Sequence, residues 1–254
     1  MTIRKFDQNP QSESSIEFRI ATYNVHRCRG LDRRVLPRRI AEVLRALEPD
    51  VIALQEVLGA GPKGHGHDQE LGAALGMGWV MGTTRLVRGR LYGNVIMSRF
   101  PINQHTQFDL TWKKRKARGC QRVDVLIREH TLHIYNVHLG VGLRERQYQA
   151  KQLGTFIGQD SIQGPKIVLG DFNEWGRGFA TIELTQVLKS LDLRAFLKRR
   201  RTYPGVFPVL HLDHIFYDGR VEVLNVQVPR TRKSLIASDH LPLVADLRVQ
   251  VPAR

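Results

Sequence analysis

The sequence has little cysteine and no long apolar run, and both shortages restrict the class of protein. Only Cys28 and Cys120 occur among 254 residues, too few for the disulfide framework of a small secreted domain. No apolar stretch approaches the roughly 18 residues of a membrane-spanning helix, so we expect no transmembrane segment. The first residues are polar and lack the apolar segment of a secretory signal. We therefore expect a cytoplasmic protein.

Acidic residues are also scarce relative to basic ones. The chain has 39 Lys and Arg against 24 Asp and Glu, which gives a formal net charge of +15. This excess favours partners that carry phosphate, either nucleic acid or an anionic lipid surface. An Arg-rich exterior that only keeps the protein in solution explains the charge equally well. Four basic patches stand out, namely Arg33, Arg34, Arg38 and Arg39; Lys113, Lys114, Arg115, Lys116 and Arg118 beside Trp112; residues 198–201; and Arg230, Arg232 and Lys233.

Length and composition favour one ordinary globular domain. Hydrophobic residues make up 42% of the chain, and a chain of this size buries roughly 70–75% of the surface that its unfolded form exposes. Residues 1–15 are predicted to form a disordered polar tail. Residues 16–254 are predicted to form a single domain, because no linker interrupts them.

Apolar patterning predicts strands mixed with helices. Short β-branched and aromatic runs predict strands at residues 18–25, 51–54, 92–97, 122–127, 132–137, 166–169, 215–217, 221–228 and 243–249. Helical spacing of apolar residues predicts helices at residues 35–47, 143–157 and 181–191. The glycine-rich segment 59–67 predicts a loop that does not match a phosphate-binding P-loop. These elements predict an α/β fold in which sheets pack face to face with helices outside.

Polar residues cluster where the predicted strands end or are interrupted. The clusters are Tyr23-Asn24-Val25-His26, Leu54-Gln55-Glu56, Gly93-Asn94 with Ser98-Arg99, Asn136-Val137-His138, Gly170-Asp171-Phe172-Asn173, Leu212-Asp213-His214 and Ser238-Asp239-His240. Each one alone has a structural explanation as a turn, a cap or a surface ion pair. Seven together favour an active site, because α/β folds gather functional side chains at strand ends.

The order of these clusters resembles the endonuclease/exonuclease/phosphatase superfamily of DNase I-like proteins. The most specific matches are Leu54-Gln55-Glu56, Gly170-Asp171-Phe172-Asn173 and Ser238-Asp239-His240-Leu241-Pro242, and the resemblance extends over residues 22–247. It implies a four-layer α/β/β/α sandwich, in which two packed sheets are flanked by helices. It also implies hydrolysis of a phosphate ester with a divalent metal ion.

The resemblance further implies roles for individual residues. Asn24, Glu56 and Asp239 would bind the metal, and these oxygen ligands suit Mg²⁺ or Mn²⁺. Asp171 would orient and deprotonate the attacking water, and Asn173 would bond a phosphoryl oxygen. His240 would be the catalytic histidine, held by Asp213, while His138 would contact the phosphate or assist the leaving group. Asn94, Arg99 and Arg118 are the candidate substrate-binding residues.

One departure from the family pattern concerns the number of metal ions. Several relatives carry an acid two residues after the first Asn, whereas this chain has His26. We therefore expect a single ion.

Three functions remain open from the sequence. The leading hypothesis is a phosphodiester hydrolase that acts on a small or lipid-linked phosphate ester, because Thr202-Tyr203-Pro204 and the segment 212–216 resemble a bacterial subgroup of the superfamily. The alternative is a nuclease that acts on DNA or RNA, which the basic charge favours. The third is an inactive scaffold, against which the complete set of acidic and imidazole residues argues.

Overall fold

Twelve strands form two six-stranded sheets in the computed structural model, which describes residues 15–62, 64–159 and 161–251. The first sheet has the order β11-β12-β1-β2-β4-β3 and consists of β1 (Ser15–Asn24), β2 (Val51–Leu58), β3 (Gly78–Val87), β4 (Arg90–Ser98), β11 (Val221–Gln227) and β12 (Leu243–Gln250). The second has the order β5-β6-β7-β8-β10-β9 and consists of β5 (Ile102–Asp109), β6 (Gly119–Ile127), β7 (His130–His138), β8 (Lys166–Asp171), β9 (Lys189–Ser190) and β10 (Asp213–Tyr217).

Helices cover the outer face of each sheet. They are α1 (Pro37–Arg45), α2 (His67–Leu75), α3 (Leu143–Ile157), α4 (Phe179–Leu184), α5 (Leu193–Phe196) and α6 (Arg232–Ala237), and a 3-10 turn spans His26–Cys28. Within the part of the chain that is described, no helix is long and apolar enough to cross a bilayer.

Three apolar layers hold these elements together. Strand β2 contributes to two of them, because Val51 and Ala53 join the layer between the sheets while Ile52 and Leu54 pack with α1 and α2. A third layer lies between the second sheet and helices α3 and α4. Central strands that bury both faces have long apolar runs, as the sequence of β2 does. The predicted four-layer α/β/β/α sandwich is confirmed.

Several predicted elements needed correction. The predicted helix at 181–191 is wrong beyond residue 184, because α4 ends at Leu184 and β9 then pairs with β10. The predicted helix at 35–47 is shorter, since α1 spans Pro37–Arg45. The tail prediction falls mostly on residues 1–14, which lie outside the described residues, and Ser15 already begins β1.

Pairing brings the ends of parallel strands to one edge of the sandwich. In the first sheet, β1 runs parallel to β2 and Asn24 lies beside Gln55. In the second sheet, His138 of β7 lies beside Asp171 of β8, which in turn lies beside Asp213 of β10. We call this side of both sheets the carboxyl edge. Its register places His138, Asp171 and Asp213 in one row across three neighbouring strands.

Gly170 allows the close approach of β7 and β8 just below this row. Its φ is +146°, and an added Cβ would lie 2.0 Å from the carbonyl oxygen of Val137. Only glycine adopts this conformation without strain. The glycine before Asp171 is therefore explained by backbone packing.

Buried amides connect the two sheets beneath the carboxyl edge. Asn136 of the second sheet accepts a hydrogen bond from Gln55 Nε2 at 2.8 Å and donates to the carbonyl oxygens of Leu54 and Val95 at 2.9 and 3.0 Å. Asn94 of the first sheet donates in return to the carbonyl of Asn136 at 3.3 Å. These bonds fix the two sheets relative to each other in an otherwise apolar interface.

The substitution Asn136→Ala is expected to lower the free energy of unfolding by about 2–4 kcal/mol, because it leaves several buried polar atoms without a partner. Urea unfolding measures this loss. The control Asn103→Ala removes an amide of similar size from an exposed position of β5 and should cost less than about 0.5 kcal/mol. Equal losses in the two variants would contradict a special role for the buried amide.

Candidate active site

Asp171 is the centre of a cluster that draws side chains from both sheets. Its Oδ2 atom accepts a hydrogen bond from Asn24 Nδ2 at 2.9 Å, and its Oδ1 atom accepts one from the backbone N–H of Asn173 at 3.0 Å. The Nε2 atoms of His138 and His240 lie 3.5 and 3.7 Å from Oδ2. Residues that are distant in sequence therefore surround one buried carboxylate.

The surroundings of Asp171 make it a proton acceptor near neutral pH. Burial raises its pKa to about 6, and the nearby Asp213 also raises it, against the opposing effects of His240, Asn24 and Asn173. A base is most effective when its pKa lies close to the working pH, and carboxylates tuned in this way are typical of active sites.

His240 and Asp213 form a buried ion pair next to Asp171. His240 Nδ1 lies 3.0 Å from Asp213 Oδ2, and Asp213 is fully buried. Burial alone lowers the pKa of His240, but Asp213, Asp171 and Asp239 together outweigh it and raise the pKa to about 10. The imidazole is therefore charged at neutral pH, with Nδ1 donating to Asp213 and Nε2 directed toward Asp171.

Tyr203 lies on the loop that precedes β10, and its ring packs against His240. No role in the site was predicted for this side chain from the sequence. The two ring centroids are 4.9 Å apart, and the same loop is tied to the site because the Gly205 N–H donates to the carbonyl of Asp239 at 2.7 Å. The Thr-Tyr-Pro motif was visible in the sequence, but only the structure indicates its contact with the histidine.

His138 and Arg118 form a second pair beside Asp171. Arg118 Nη1 lies 2.8 and 3.0 Å from the two ring nitrogens of His138. Burial lowers the pKa of His138 well below its ordinary value, and the charges of Arg118 and His240 lower it further. His138 is therefore neutral, and a half-buried guanidinium next to it supplies positive charge at the carboxyl edge.

Oxygen atoms suited to a cation lie at the carboxyl edge of the first sheet and on the segment that precedes β12. Glu56 sits at an irregularity in the pairing of β2 with β4, with a φ of +59°. Burial and the nearby Glu56 carboxylate raise the pKa of Tyr92. Asn24 Oδ1 accepts a hydrogen bond from the His26 N–H at 3.0 Å. The carboxylate of Asp239 is partly exposed, 3.3 Å from His26 Nδ1. A strained backbone at an acidic residue indicates a functional position.

These donors fit a magnesium-type ion. Among the described residues, no three acidic, imidazole or thiol side chains are grouped as a complete metal site. Two carboxylates and one amide oxygen are nevertheless a suitable set, because Mg²⁺ keeps several waters and uses one or two carboxylates. His26 contacts Asp239, with Nδ1 3.3 Å from Oδ2.

Arg99 does not belong to this cluster, and its prediction as a substrate-binding residue is corrected. Strand β4 runs antiparallel to β2, so that Ser98 lies beside Val51 at the edge opposite Glu56. Four residue-to-residue steps along the strand, roughly 13 Å, separate Val51 from Gln55. Asn94, in contrast, is buried close to the site and donates to the carbonyls of Gly119 and Asn136, which is a supporting position.

Comparison with known proteins decides the family. A family model described as the endonuclease/exonuclease/phosphatase family matches residues 21–240. The chain belongs to this family. Members of the endonuclease/exonuclease/phosphatase family are hydrolases that act on phosphate esters, and they include both nucleases and phosphatases.

Relatives within the endonuclease/exonuclease/phosphatase family match along most of the chain. The chain is 26% identical to Escherichia coli YbhP, over 94% of its own length and 100% of the relative's. A family structure from Bacteroides vulgatus aligns over 92% of this chain and 100% of its own length, with a TM-score of 0.76 at 20% identity. The mannosyl-6-phosphatase of Bacteroides thetaiotaomicron aligns over 91% of this chain and 99% of its own length, with a TM-score of 0.73 at 18% identity. These structures have the same fold as this chain.

Proposed function

We propose that the chain is a Mg²⁺- or Mn²⁺-dependent phosphodiester hydrolase that activates water for in-line attack on a small or lipid-linked phosphate ester. The observation that carries this proposal is the buried Asp171 carboxylate, which has a pKa of about 6 and lies 3.7 Å from a charged histidine. A base and a cation held this close can serve the attacking water and the developing negative charge, respectively.

Asp171 accepts the proton of the attacking water in this mechanism. The Asn24 amide and the Asn173 N–H hold one carboxylate oxygen each, which fixes the direction from which water approaches. The side-chain nitrogen of Asn173 donates one hydrogen to the Leu139 carbonyl at 3.0 Å. Its second hydrogen is the donor that we assign to a phosphoryl oxygen.

The two histidines act on the phosphate in different ways. His240 is charged and oriented by Asp213, so its Nε2–H faces the negative charge that builds up in the transition state. His138 is neutral and contacts Arg118, so this pair would bind a non-bridging oxygen or the leaving group. Arg118 supplies the charge in that pair.

Glu56, Asn24 and Asp239 would hold the metal ion. When bound, a divalent ion supplies Lewis acidity and orients the phosphate. The carboxylate and amide oxygens of these residues would be the ligands, and the Asp239 carboxylate is partly exposed.

Glu56→Gln is expected to weaken magnesium binding by at least about 10-fold. Losing a side chain that only supports a metal ligand already lowers metal affinity by about 10-fold or more, and losing the ligand itself should cost no less. Calorimetric titration with Mg²⁺ measures the affinity, and hydrolysis of bis(p-nitrophenyl) phosphate measures the activity. Turnover should stop with a chelator and return with added Mg²⁺. Wild-type turnover that is insensitive to the chelator would contradict the metal requirement, and no turnover of any phosphoester would favour an inactive scaffold.

A nuclease is the second candidate, and one observation favours it. The exposed basic residues 113–116 lie on the loop between β5 and β6, at the same edge as Asp171. A panel of plasmid DNA, abasic oligonucleotide, RNA, phospholipid and inositol phosphate in one magnesium buffer separates the two candidates. A nuclease should also bind duplex DNA with a steep salt dependence, with a log–log slope of about −0.9 per phosphate contact.

A further inference from the structure

Large apolar side chains are exposed at loop tips around the proposed active site. Val141, Trp175 and Phe207 are 73%, 72% and 76% exposed, and Leu143 and Val206 are exposed beside two of them. Single exposed apolar residues are common on protein surfaces. A series of them on successive loops around one site instead indicates a contact surface.

The loops that carry these residues lie side by side. Residues 110–118 join β5 to β6, residues 139–142 follow β7, residues 172–178 follow β8, and residues 198–212 precede β10. The pairing of Gly119 with His138, and of Asp171 with Asp213, puts all four loops at the carboxyl edge in this spatial order. With a strand spacing of about 4.8 Å, this row of four loops, which we call the loop row, extends over roughly 15–20 Å.

The same four loops carry positive charge with almost no acid. Their basic residues are Lys113, Lys114, Arg115, Lys116, Arg118, Arg177, Lys198, Arg199, Arg200 and Arg201. Glu174 is the one acidic residue in these loops, all of which are described, and its buried carboxylate accepts hydrogen bonds from the N–H groups of Ala180 and Thr181. The loop row therefore presents apolar tips among cations.

We infer that the loop row docks the enzyme on an anionic phospholipid surface, so that the phosphate ester reaches Asp171 from the lipid headgroup layer. Exposed apolar side chains insert at the boundary between headgroups and acyl chains, while Lys and Arg bind the anionic headgroups. The aliphatic tips Val141, Leu143 and Val206 favour lipid over nucleic acid, since they can neither stack on bases nor bond phosphate. This inference rests on the proposed phosphodiester hydrolase and specifies where its substrate is presented.

The test uses the full chain and vesicles with and without anionic lipid. Wild-type protein in chelator should sediment with phosphatidylcholine vesicles that contain about a third phosphatidylglycerol, and only weakly with phosphatidylcholine alone. The double variant Trp175→Ala/Phe207→Ala should bind the anionic vesicles about 10-fold more weakly. Lys113→Glu/Lys114→Glu should weaken binding to the same vesicles, with the loss largest at low salt.

Val187→Ala is the matched control, because Val187 is 55% exposed but lies just before β9, at the opposite edge of the same sheet. It should bind vesicles as the wild type does. Hydrolysis of bis(p-nitrophenyl) phosphate by every variant checks that the proteins are folded and active.

The docking inference fails if wild-type protein hydrolyses the soluble ester but stays in solution with anionic vesicles. It also fails if Trp175→Ala/Phe207→Ala weakens binding to duplex DNA but not to vesicles, a result that assigns the loop row to nucleic acid. If no phosphoester is hydrolysed, the proposed function fails, whereas sedimentation still decides the docking.

Discussion

Asp171→Asn is expected to lower kcat for bis(p-nitrophenyl) phosphate by about 10²–10⁴-fold, the usual contribution of a general base. The amide has nearly the same shape as the carboxylate and can still accept a hydrogen bond from Asn24 or Asn173, but it cannot take up a proton. Steady-state kinetics in saturating Mg²⁺ measures the loss. Asp109→Asn, an exposed position at the end of β5, is the control and should keep full activity.

The same variant should be at least as stable as the wild type at neutral pH. The pKa of Asp171 is about 6 in the folded protein, above its ordinary value of 3.8, so the buried charged form opposes folding. This cost is fully present above pH 6 and disappears below about pH 4, because both states are then protonated. Urea unfolding in chelator should therefore show a stability gain of Asp171→Asn at pH 7.5 that is mostly lost by pH 4. Near-normal kcat in folded Asp171→Asn would contradict the role of Asp171 as the base, and a stability loss at pH 7.5 would contradict the cost assigned to its buried charge.

His240→Asn is expected to lower kcat by about 10²–10³-fold, the size of the effect when one preorganised donor is lost from a transition state. The asparagine Nδ2 can take the place of His240 Nδ1 and keep the hydrogen bond to Asp213, whereas nothing replaces Nε2. The variant should therefore fold normally and lose kcat with little change in KM. His130→Asn, at the start of β7 on the opposite edge, is the control.

His240→Ala separates catalysis from stability at the same position. It removes the partner of a fully buried Asp213, and an unpaired buried charge of this kind costs about 3–5 kcal/mol. Asparagine also removes the positive charge but keeps a donor for Asp213, so urea unfolding should show a smaller loss for His240→Asn than for His240→Ala, although both are nearly inactive. Near-normal kcat in folded His240→Asn would remove this histidine from the mechanism.

The strands that bury both faces could be predicted from the sequence, whereas two edge strands with largely exposed faces could not. Each predicted strand overlaps an observed one, and the predicted helix 143–157 coincides with α3. Strands β3 and β5 lie at sheet edges and alternate mostly exposed positions, so their apolar signal is weak. Helix α2 was missed because Gly72 and its neighbouring alanines give little amphipathic periodicity.

The candidate site could be predicted where short motifs carry it, and the errors have physical causes. Asp171 and His240 lie in motifs that make them candidates from the sequence alone, and the structure brings them together. Arg99 was also a candidate from the resemblance, but the direction of β4 takes it to the other edge. Tyr203 and Asn136 act through contacts across the fold, which no local pattern encodes.

The buried amides that join the sheets have a mechanical consequence. Asn24 and Glu56 belong to one sheet while His138 and Asp171 belong to the other. The distances between the reacting groups therefore change if one sheet shifts relative to the other. A displacement of about 1 Å there could cost roughly 100-fold in rate. The loops above the site can therefore change to accept a new substrate, whereas the interface between the two sheets must keep its geometry for the site to work.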